Sequence, residues 1–306
     1  MKTNLKIFFI IAFNTVIILT TILFLTNIFF VNKANEVDEN RVFKGLWRTI
    51  NTLDSQYSEL AKLAADWGEW NDTYNFMEDK NEDYVIDNLS VEAMGLIDID
   101  EIIYVNTNKE VVVGKKADFE NEEVLSLSPE LEKVLTSDKL LKFNINEKFS
   151  GVLFLDDRQV FVAGNPILTT LSKGPSRGSI IMVRYLDDER YEDLSKTLNL
   201  ELQILPLNKE NLPSDVYEKI YTQKDNFVTT PVDNKTYVGY HPVNDVFGEL
   251  SGVAKIVSDR EVKVAMSLGI IYYTATYFVF IIILSWLDYL ISKNILAKPL
   301  KGSYKE

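Results

Sequence analysis

Residues 60–74 read LAKLAADWGEWNDTY, a stretch dense in aromatic and acidic side chains that closes a long helical pattern. The apolar positions leading into it are spaced alternately by four and three residues: Leu46, Ile50, Leu53, Tyr57, Leu60, Ala64 and Trp67. This spacing predicts one long helix over residues 36–76. A seam of this length fits either a coiled coil between two chains or a helix lying on its own domain, because periods of 3.5 and 3.6 residues barely diverge over it.

The aromatic side chains of this stretch have two interpretations. On a helix, Trp67, Trp70 and Tyr74 would share the face of Leu60 and Leu63, and an aromatic stripe of this kind usually packs into a core. Alternatively, the aromatic edges and the neighbouring carboxylates line a ligand pocket, since Trp and Tyr combine apolar area with a hydrogen-bond donor. The candidate ligand-binding residues here are Asp66, Trp67, Glu69, Trp70, Asp72 and Tyr74.

Two uncharged apolar segments, residues 7–31 and 264–287, are each long enough to cross a bilayer. The first is longer than the apolar region of a signal peptide and no A-x-A site follows it, which favours an uncleaved anchor. Lysines flank the two segments on their outer sides: Lys2, Lys6, Lys293, Lys298, Lys301 and Lys305. By the positive-inside rule, residues 1–6 and 288–306 are cytoplasmic and residues 32–263 are extracytoplasmic, in a cell membrane whose lipid surrounds both segments.

Composition excludes several function classes. The 306 residues include no cysteine and one histidine, and the net charge is −13. Disulfides and thiolate chemistry are therefore impossible, and a His-rich zinc site or a Ser–His pair is not expected. The acidic balance argues against nucleic acid as a partner. The sequence predicts no metal site and no cofactor. His241 precedes Pro242 in a strand-like run and is interpreted as structural, with pH sensing as the alternative.

The β signals fall into two groups. Residues 101–113 and 151–163 each contain two β-branched runs about a polar turn, which indicates hairpins, and a third β run covers residues 178–185. A helical or loop-like acidic stretch separates the first hairpin from the others. This order predicts a PAS-like antiparallel sheet in a distal part, residues 77–187. The pattern restarts in a membrane-proximal part, residues 188–260, which predicts a second, smaller sheet. The fold class is α+β.

Two motifs resemble one family of sensor domains. DWGEWNDTYNF, residues 66–76, and NPILTTLSKGPSRGSIIMVRYL, residues 165–186, are similar to the two signatures of the type-four class of CHASE extracellular domains. The resemblance covers roughly residues 35–187. The sequence departs from the family pattern at Gly68, where Ala is usual, at Asn71, where Asp is usual, and at Val183, where Gly is common. The change at Asn71 removes one carboxylate of the family's acidic pair.

The resemblance implies a sensory input module of a prokaryotic transmembrane receptor that binds an extracellular small ligand. Such modules feed a histidine kinase of a two-component system, a nucleotide cyclase or phosphodiesterase, or a chemoreceptor, and a homodimer is expected. The KPL of residues 298–300 resembles the entry of a HAMP linker. The output domain is expected to lie beyond this chain, which is then either a truncated receptor or a stand-alone partner subunit.

Arg177, in the GPSRG turn, completes the set of candidate ligand-binding residues. It would hold a carboxylate ligand bidentately or pair with an acidic residue of the chain itself. The competing function is a membrane-anchored extracytoplasmic binding protein or a hydrolase that uses Asp66 and Glu69, and it predicts a raised pKa on one of the two carboxylates. The sequence favours the sensor, which is not an enzyme and has no catalytic residues.

Overall fold

The computed structural model describes residues 2–136, 146–156, 158–224 and 226–296. Two compact units make up the chain. The first comprises Met1–Arg41, Pro231–Tyr237 and Asp259–Glu306, and the second comprises Val42–Thr230 and Val238–Ser258. The HAMP-like entry predicted at residues 298–300 lies outside the described residues.

Helices and strands alternate in groups along the described part of the chain. The helices are α1 (Lys2–Gly68), α2 (Asn71–Asp79), α3 (Glu82–Asn88), α4 (Val91–Leu96), α5 (Pro129–Thr136), α6 (Asp188–Leu198), α7 (Ser214–Tyr221) and α8 (Glu261–Leu296). The strands are β1 (Glu101–Asn106), β2 (Val111–Asp118), β3 (Glu123–Leu125), β4 (Phe149–Phe154), β5 (Gln159–Pro166), β6 (Gly178–Tyr185), β7 (Glu201–Pro206), β8 (Val228–Pro231), β9 (Thr236–Asn244) and β10 (Leu250–Asp259).

In the first unit, α1 and α8 are both long and apolar enough to cross a membrane. The predicted segments 7–31 and 264–287 fall within them. Large apolar side chains such as Phe24 and Phe278 are about two-thirds exposed, at 65% and 64%. Surfaces of this kind are stable only against an apolar solvent, so the chain is a membrane protein.

The second unit contains a six-stranded antiparallel sheet with the order β3-β2-β1-β6-β5-β4. Its central strands are buried on both faces, which explains their uninterrupted apolar runs. Ile103 and Ile181 are paired in register and belong to a core cluster that includes Leu131 of α5. Tyr104 and Phe161 point to the opposite face, where they contact aromatic side chains of α2 and α1. The PAS-like antiparallel sheet predicted from the sequence is confirmed.

A second, smaller sheet was also predicted, and the order β7-β10-β9-β8 provides it. Its core joins Val216 and Ile220 of α7 to apolar side chains of β9 and β10. The two sheets meet where Val246 donates a backbone hydrogen bond of 2.8 Å to the carbonyl of Val152, beside an isolated parallel bridge. The two sheets therefore contact each other within the second unit.

Helix α1 packs its apolar seam against this unit. Leu46, Leu53, Leu60 and Ala64 are buried within a single chain, each with at most 4% of its surface exposed. Each buried leucine contributes about 1.5–3 kcal/mol by leaving water. Of the two interpretations of the seam, the structure adopts the helix that lies on its own domain, because these seam side chains are already buried within one chain.

The helix predicted over residues 36–76 is wrong at its C-terminal end. Helix α1 ends at Gly68, and a new helix begins at Asn71 after Trp70, whose φ of −124° and ψ of 135° are extended. The carbonyl of Gly68 accepts a hydrogen bond from the backbone N–H of Leu168, at 2.9 Å. A residue distant in the sequence thus provides a hydrogen-bond partner for a carbonyl at the end of the helix. Glycine is a weak helix former, so ending the helix at this position costs little.

Two short helices with side-chain caps follow α2, namely α3 and α4. The Asn81 side chain caps α3 by accepting from the N–H of Asp83 at 2.9 Å, and the Ser90 hydroxyl caps α4 by accepting from the N–H of Ala93 at 3.2 Å. Each cap satisfies a backbone donor that a helix start leaves unpaired. The Ser90 cap therefore marks the start of a separate helix.

We expect Leu60→Ala to lower the free energy of unfolding by about 2–5 kcal/mol, because it empties a fully buried position on the apolar seam of α1. Ser58→Ala, at an exposed position on the same helix, should change it by less than about 0.5 kcal/mol. Urea denaturation of the chain in detergent, followed by tryptophan fluorescence, measures both. Equal effects of the two substitutions would contradict the packing of the seam described here.

Candidate functional site

The two sequence motifs, about 100 residues apart, contact each other. Residues 168–177, which we call the strap, cross the junction between α1 and α2. The N–H of Leu168 donates to the carbonyl of Gly68, as noted above. Asn71 and Thr170 form a reciprocal pair: the Asn71 N–H donates to the Thr170 hydroxyl and the Thr170 N–H donates to Asn71 Oδ1, each at 3.0 Å. The motifs therefore hold the strap on the end of the long helix.

The departures at Gly68 and Asn71 fit this contact. A Cβ atom at Gly68 would lie 2.8 Å from the side-chain nitrogen of Asn165 and 3.2 Å from the carbonyl oxygen of Pro166. The glycine lets the helix end approach strand β5 more closely than alanine would. Asn71, for its part, uses its amide oxygen to hold the strap. The side chain that replaces the family's aspartate therefore has a structural partner in this chain.

Glu69 is held as a carboxylate between two elements. It accepts a 2.8 Å hydrogen bond from the Lys148 ammonium, with which it forms an ion pair, and another from the hydroxyl of Ser172 in the strap. The hydrogen bond from Lys148, followed by that from Ser172, lowers the pKa of Glu69 despite partial burial. A general acid of a hydrolase needs the opposite shift, so this carboxylate does not fit that role.

Arg177 forms the internal pair that the sequence left as one of two alternatives. Its guanidinium lies 3.9 Å from the centroid of the Tyr74 ring, donates to the Tyr74 carbonyl at 2.7 Å and pairs with the Glu78 carboxylate. The Tyr74 hydroxyl donates to the carbonyl of Pro175 at 3.2 Å. Stacking and charge together secure the second end of the strap against α2.

The strap can end where it does only because residue 178 is a glycine. Gly178 has a φ of +135°, which side-chain-bearing residues rarely adopt, and an added Cβ would lie 1.9 Å from the carbonyl oxygen of Val105. Backbone therefore packs directly on backbone at the start of β6. The GPSRG turn of the sequence is thus a geometric requirement of the sheet.

The two tryptophans of the first motif are neither fully buried nor fully exposed to solvent. Trp67 and Trp70 are partly buried, and their rings lie 6.4 Å apart at an interplanar angle of 70°. Asp66 and Asp72 are exposed beside them. The predicted residues therefore lie around one junction, where two partly buried tryptophans adjoin two exposed carboxylates. Among the residues that the structure describes, no three acidic or histidine side chains form a group that could hold a metal ion.

A buried chain of hydroxyl groups lies behind this junction and was missed by the sequence reasoning. The Tyr84 hydroxyl is 2.7 Å from that of Thr73 and 3.0 Å from that of Tyr104, and Phe76 stacks on Tyr84 with centroids 4.5 Å apart. Burial raises the pKa of both tyrosines, so the hydroxyls remain protonated and bonded to one another. The aromatic half of the motif therefore provides core packing under α2.

Sequence reasoning also missed the partners of the predicted residues. Lys148 and Ser172 lie 79 and 103 positions from Glu69, and Thr170 lies 99 positions from Asn71. No local pattern connects positions so far apart. Only the order of the second motif after the first indicates that they belong together, and the sheet topology then brings them into contact.

A family model, the CHASE4 domain, matches residues 52–205, about half of the chain. The match begins within α1, covers the whole six-stranded sheet and ends within β7. It includes both motifs and the strap, and it confirms the resemblance drawn from them.

One relative is the methanogenesis regulatory histidine kinase FilI of Methanothrix harundinacea (strain 6Ac). It is 24% identical over 231 residues, which are 75% of this chain and 25% of the kinase. The chain thus spans about a quarter of the length of that relative.

Two solved structures have similar architecture. The extracellular domain of the histidine kinase vpHK1S-Z8 aligns with a TM-score of 0.51 at 10% identity, over 76% of this chain and 98% of that one. The ligand-binding domain of the Campylobacter jejuni chemoreceptor Tlp3, solved in complex with L-valine, aligns with a TM-score of 0.45 at 16% identity, over 77% and 98%. The first of these supports the fold described above.

We expect the contribution of Glu69 to stability to depend on pH. Because its pKa is lower in the folded chain than the ordinary 4.5, the carboxylate stabilises the fold fully above about pH 4.5, and this contribution is lost as the pH falls through the folded value. Melting temperatures of the wild type and of Glu69→Gln, measured from pH 7 downward, should therefore converge in acid.

Lys148→Met is the matched partner variant for this measurement, because Lys148 provides the leading cause of the pKa shift. In the Lys148→Met background, Glu69→Gln should have a smaller effect at neutral pH. A difference between the wild type and Glu69→Gln that stays constant down to acid pH would contradict the assignment.

Proposed function

Since the chain belongs to the CHASE4 family of receptor input domains, we propose that it binds an extracellular small ligand at the junction under the strap. The bound ligand changes how the strap and the end of α1 are held. That change passes to the cytoplasm through α8, as it would in a receptor of the histidine kinase, nucleotide cyclase or phosphodiesterase, or chemoreceptor class.

One observation carries this proposal. Helix α1 is continuous from its apolar N-terminal part to Gly68, where the two motifs hold the strap. A ligand at the strap therefore acts on the end of the same helix that enters the membrane. Such a ligand transmits a signal only if it binds two arrangements of the helix with different affinities.

The ligand contacts proposed here are the seven residues around the junction. Asp66 and Asp72 are exposed and form the rim, and the partly buried Trp67 and Trp70 form the walls. The other three, Glu69, Tyr74 and Arg177, already have partners within the chain. A polar ligand would exchange these partners for its own groups, and this exchange would loosen the strap.

In this proposal, a buried ion pair between α1 and α8 passes the change from one helix to the other. Asp38 of α1 accepts from the N–H of Lys263, in the first turn of α8, at 3.2 Å, and its carboxylate lies 3.7 Å from Nε of Arg260. Asp38 and Arg260 are 1% and 3% exposed. A carboxylate at a helix N-terminus is stabilised by the unpaired N–H groups, so displacement of α1 would be felt directly by α8.

We place both termini in the cytoplasm and the two sheets outside the cell, as the flanking lysines indicate. Two copies associate as a homodimer, as in receptors that pass a signal between paired helices. Because the apolar seam of α1 is used within the chain, the dimer contact involves its exposed face, which includes Lys44, Asn51 and Ser55. Membrane lipid surrounds α8 and the N-terminal part of α1.

This input module has no catalytic activity of its own in our proposal. The hydrolase alternative requires a carboxyl group with a raised pKa, whereas the pKa of Glu69 is lowered by its partners. A role as a membrane-anchored binding protein without signalling would need the same ligand site. A sensor differs from such a binding protein in that ligand binding changes the contacts at α8.

The ligand site is tested by a thermal-shift screen of small extracellular metabolites on the chain in lipid nanodiscs. A true ligand at 100 times its Kd should add about 2.7 kcal/mol of stability to the wild type. The gain should be lost in Asp66→Asn and Asp72→Asn and retained in Asp87→Asn, an exposed carboxylate on α3. A ligand whose stabilisation is the same in all four proteins binds elsewhere and would refute the site.

A further inference from the structure

A groove of about 780 Å³ opens on the smaller sheet of the second unit, between α1, the end of α7 and strand β9. Its volume is in the range of small-molecule sites. Ile50 and Leu53 of α1, Ile220 of α7 and Leu250 of β10 give it apolar walls. None of the seven junction residues lines the groove in the part of the chain that the structure describes.

His241 presents a hydrogen-bond acceptor to this groove. Its Nδ1 is 2.7 Å from the carbonyl oxygen of Asn226, so Nδ1 carries the proton and donates, and Nε2 is left as an acceptor. Burial lowers the pKa of His241, outweighing the Asn226 carbonyl and the Asp54 carboxylate, which act in the opposite direction. The imidazole is therefore neutral at ordinary pH and fit to accept a hydrogen bond.

Asp54 and Tyr57 add two more oxygen groups on the same side. Asp54 is exposed, lines the groove and forms no ion pair within residues 2–136, 146–156, 158–224 and 226–296. Asp54 and Tyr57 lie three positions apart on α1, which places them on one face of that helix, and both line the groove together with His241. The Tyr57 hydroxyl is buried without a hydrogen-bond partner in the same described residues. An unpaired buried hydroxyl is costly, and a bound polar group would satisfy it.

We propose that this groove is a second ligand site and that it binds the primary ammonium group of a small organic amine or amino acid. An ammonium offers three donors, which match the Asp54 carboxylate, the His241 Nε2 and the Tyr57 oxygen. The Tyr221 ring adds a face that attracts cations, and the apolar walls hold an aliphatic body. Lys224, also in the lining, is placed to receive the carboxylate that an amino acid has and an amine lacks.

Occupancy of this groove would reach the larger sheet through one side chain. Tyr57 lies on α1, and its ring makes an edge contact with Phe161 of β5, with centroids 5.2 Å apart. A ligand that fixes Tyr57 therefore acts on α1 between its two ends. This site is independent of the proposed site under the strap, and either can fail without the other.

The test uses three molecules that share one branched aliphatic body and differ in their charged groups: isoamylamine, leucine and 4-methylpentanoate. Their binding to the full chain in lipid nanodiscs is measured by calorimetry up to about 10 mM, because weak sites bind in the millimolar range. We expect isoamylamine, leucine or both to bind and 4-methylpentanoate to fail. Binding of leucine alone would assign the Lys224 contact and identify amino acids as the ligand class.

Asp54→Asn should weaken this binding at least tenfold, and Asp87→Asn should leave it unchanged. Both positions are exposed, so both variants should melt at the wild-type temperature without ligand. Weaker binding to Asp66→Asn would show that the ligand has bound at the strap instead. The proposal is overturned if the carboxylate alone binds, if neither nitrogen compound binds, or if Asp54→Asn binds as the wild type does.

Discussion

The packing of one helix face on two sheets is the constraint on which the rest of the structure depends. Leu46, Leu53 and Leu60 are at most 4% exposed, and together they contribute about 5–9 kcal/mol by burial, which is comparable with the whole stability of a typical domain. Both sheets are built after α1 in the chain and need an apolar partner for one face. The helix that provides it also extends into the apolar segment, so sensing surface and membrane segment share one element.

The charged groups of the motif are used to fasten the strap. Glu69 accepts hydrogen bonds from Lys148 and Ser172, which lie in different segments. Arg177 pairs with the Glu78 carboxylate and stacks on the Tyr74 ring. Each of these contacts lies at a partly exposed position, so each contributes only a modest free energy and its partner can be exchanged for another polar group. A strap held by many small polar contacts is easier to release than one held by a buried core, as the ligand response proposed for it requires.

The sequence was most informative where the pattern is local. The membrane segments and the hairpins follow from runs of apolar and β-branched residues, and the family from two ordered motifs. It was not informative about the break after Gly68, because that depends on the Leu168 N–H from another part of the fold. Asp54 and His241 were not identified as partners for the same reason: 187 positions separate them, and only the smaller sheet brings both to one groove.

The most direct test of this account is single-cysteine labelling along α1, in a chain that has no cysteine of its own. In intact cells, a membrane-impermeant maleimide should label cysteines at Arg48 and Glu59, which are exposed on α1. It should leave cysteines at Leu53 and Leu60 unlabelled, without disulfides between chains at the two leucine positions. Rapid labelling or interchain disulfides at Leu53 and Leu60 would show that the seam is not packed on its own domain. Protection of all four positions would place this helix on the other side of the membrane.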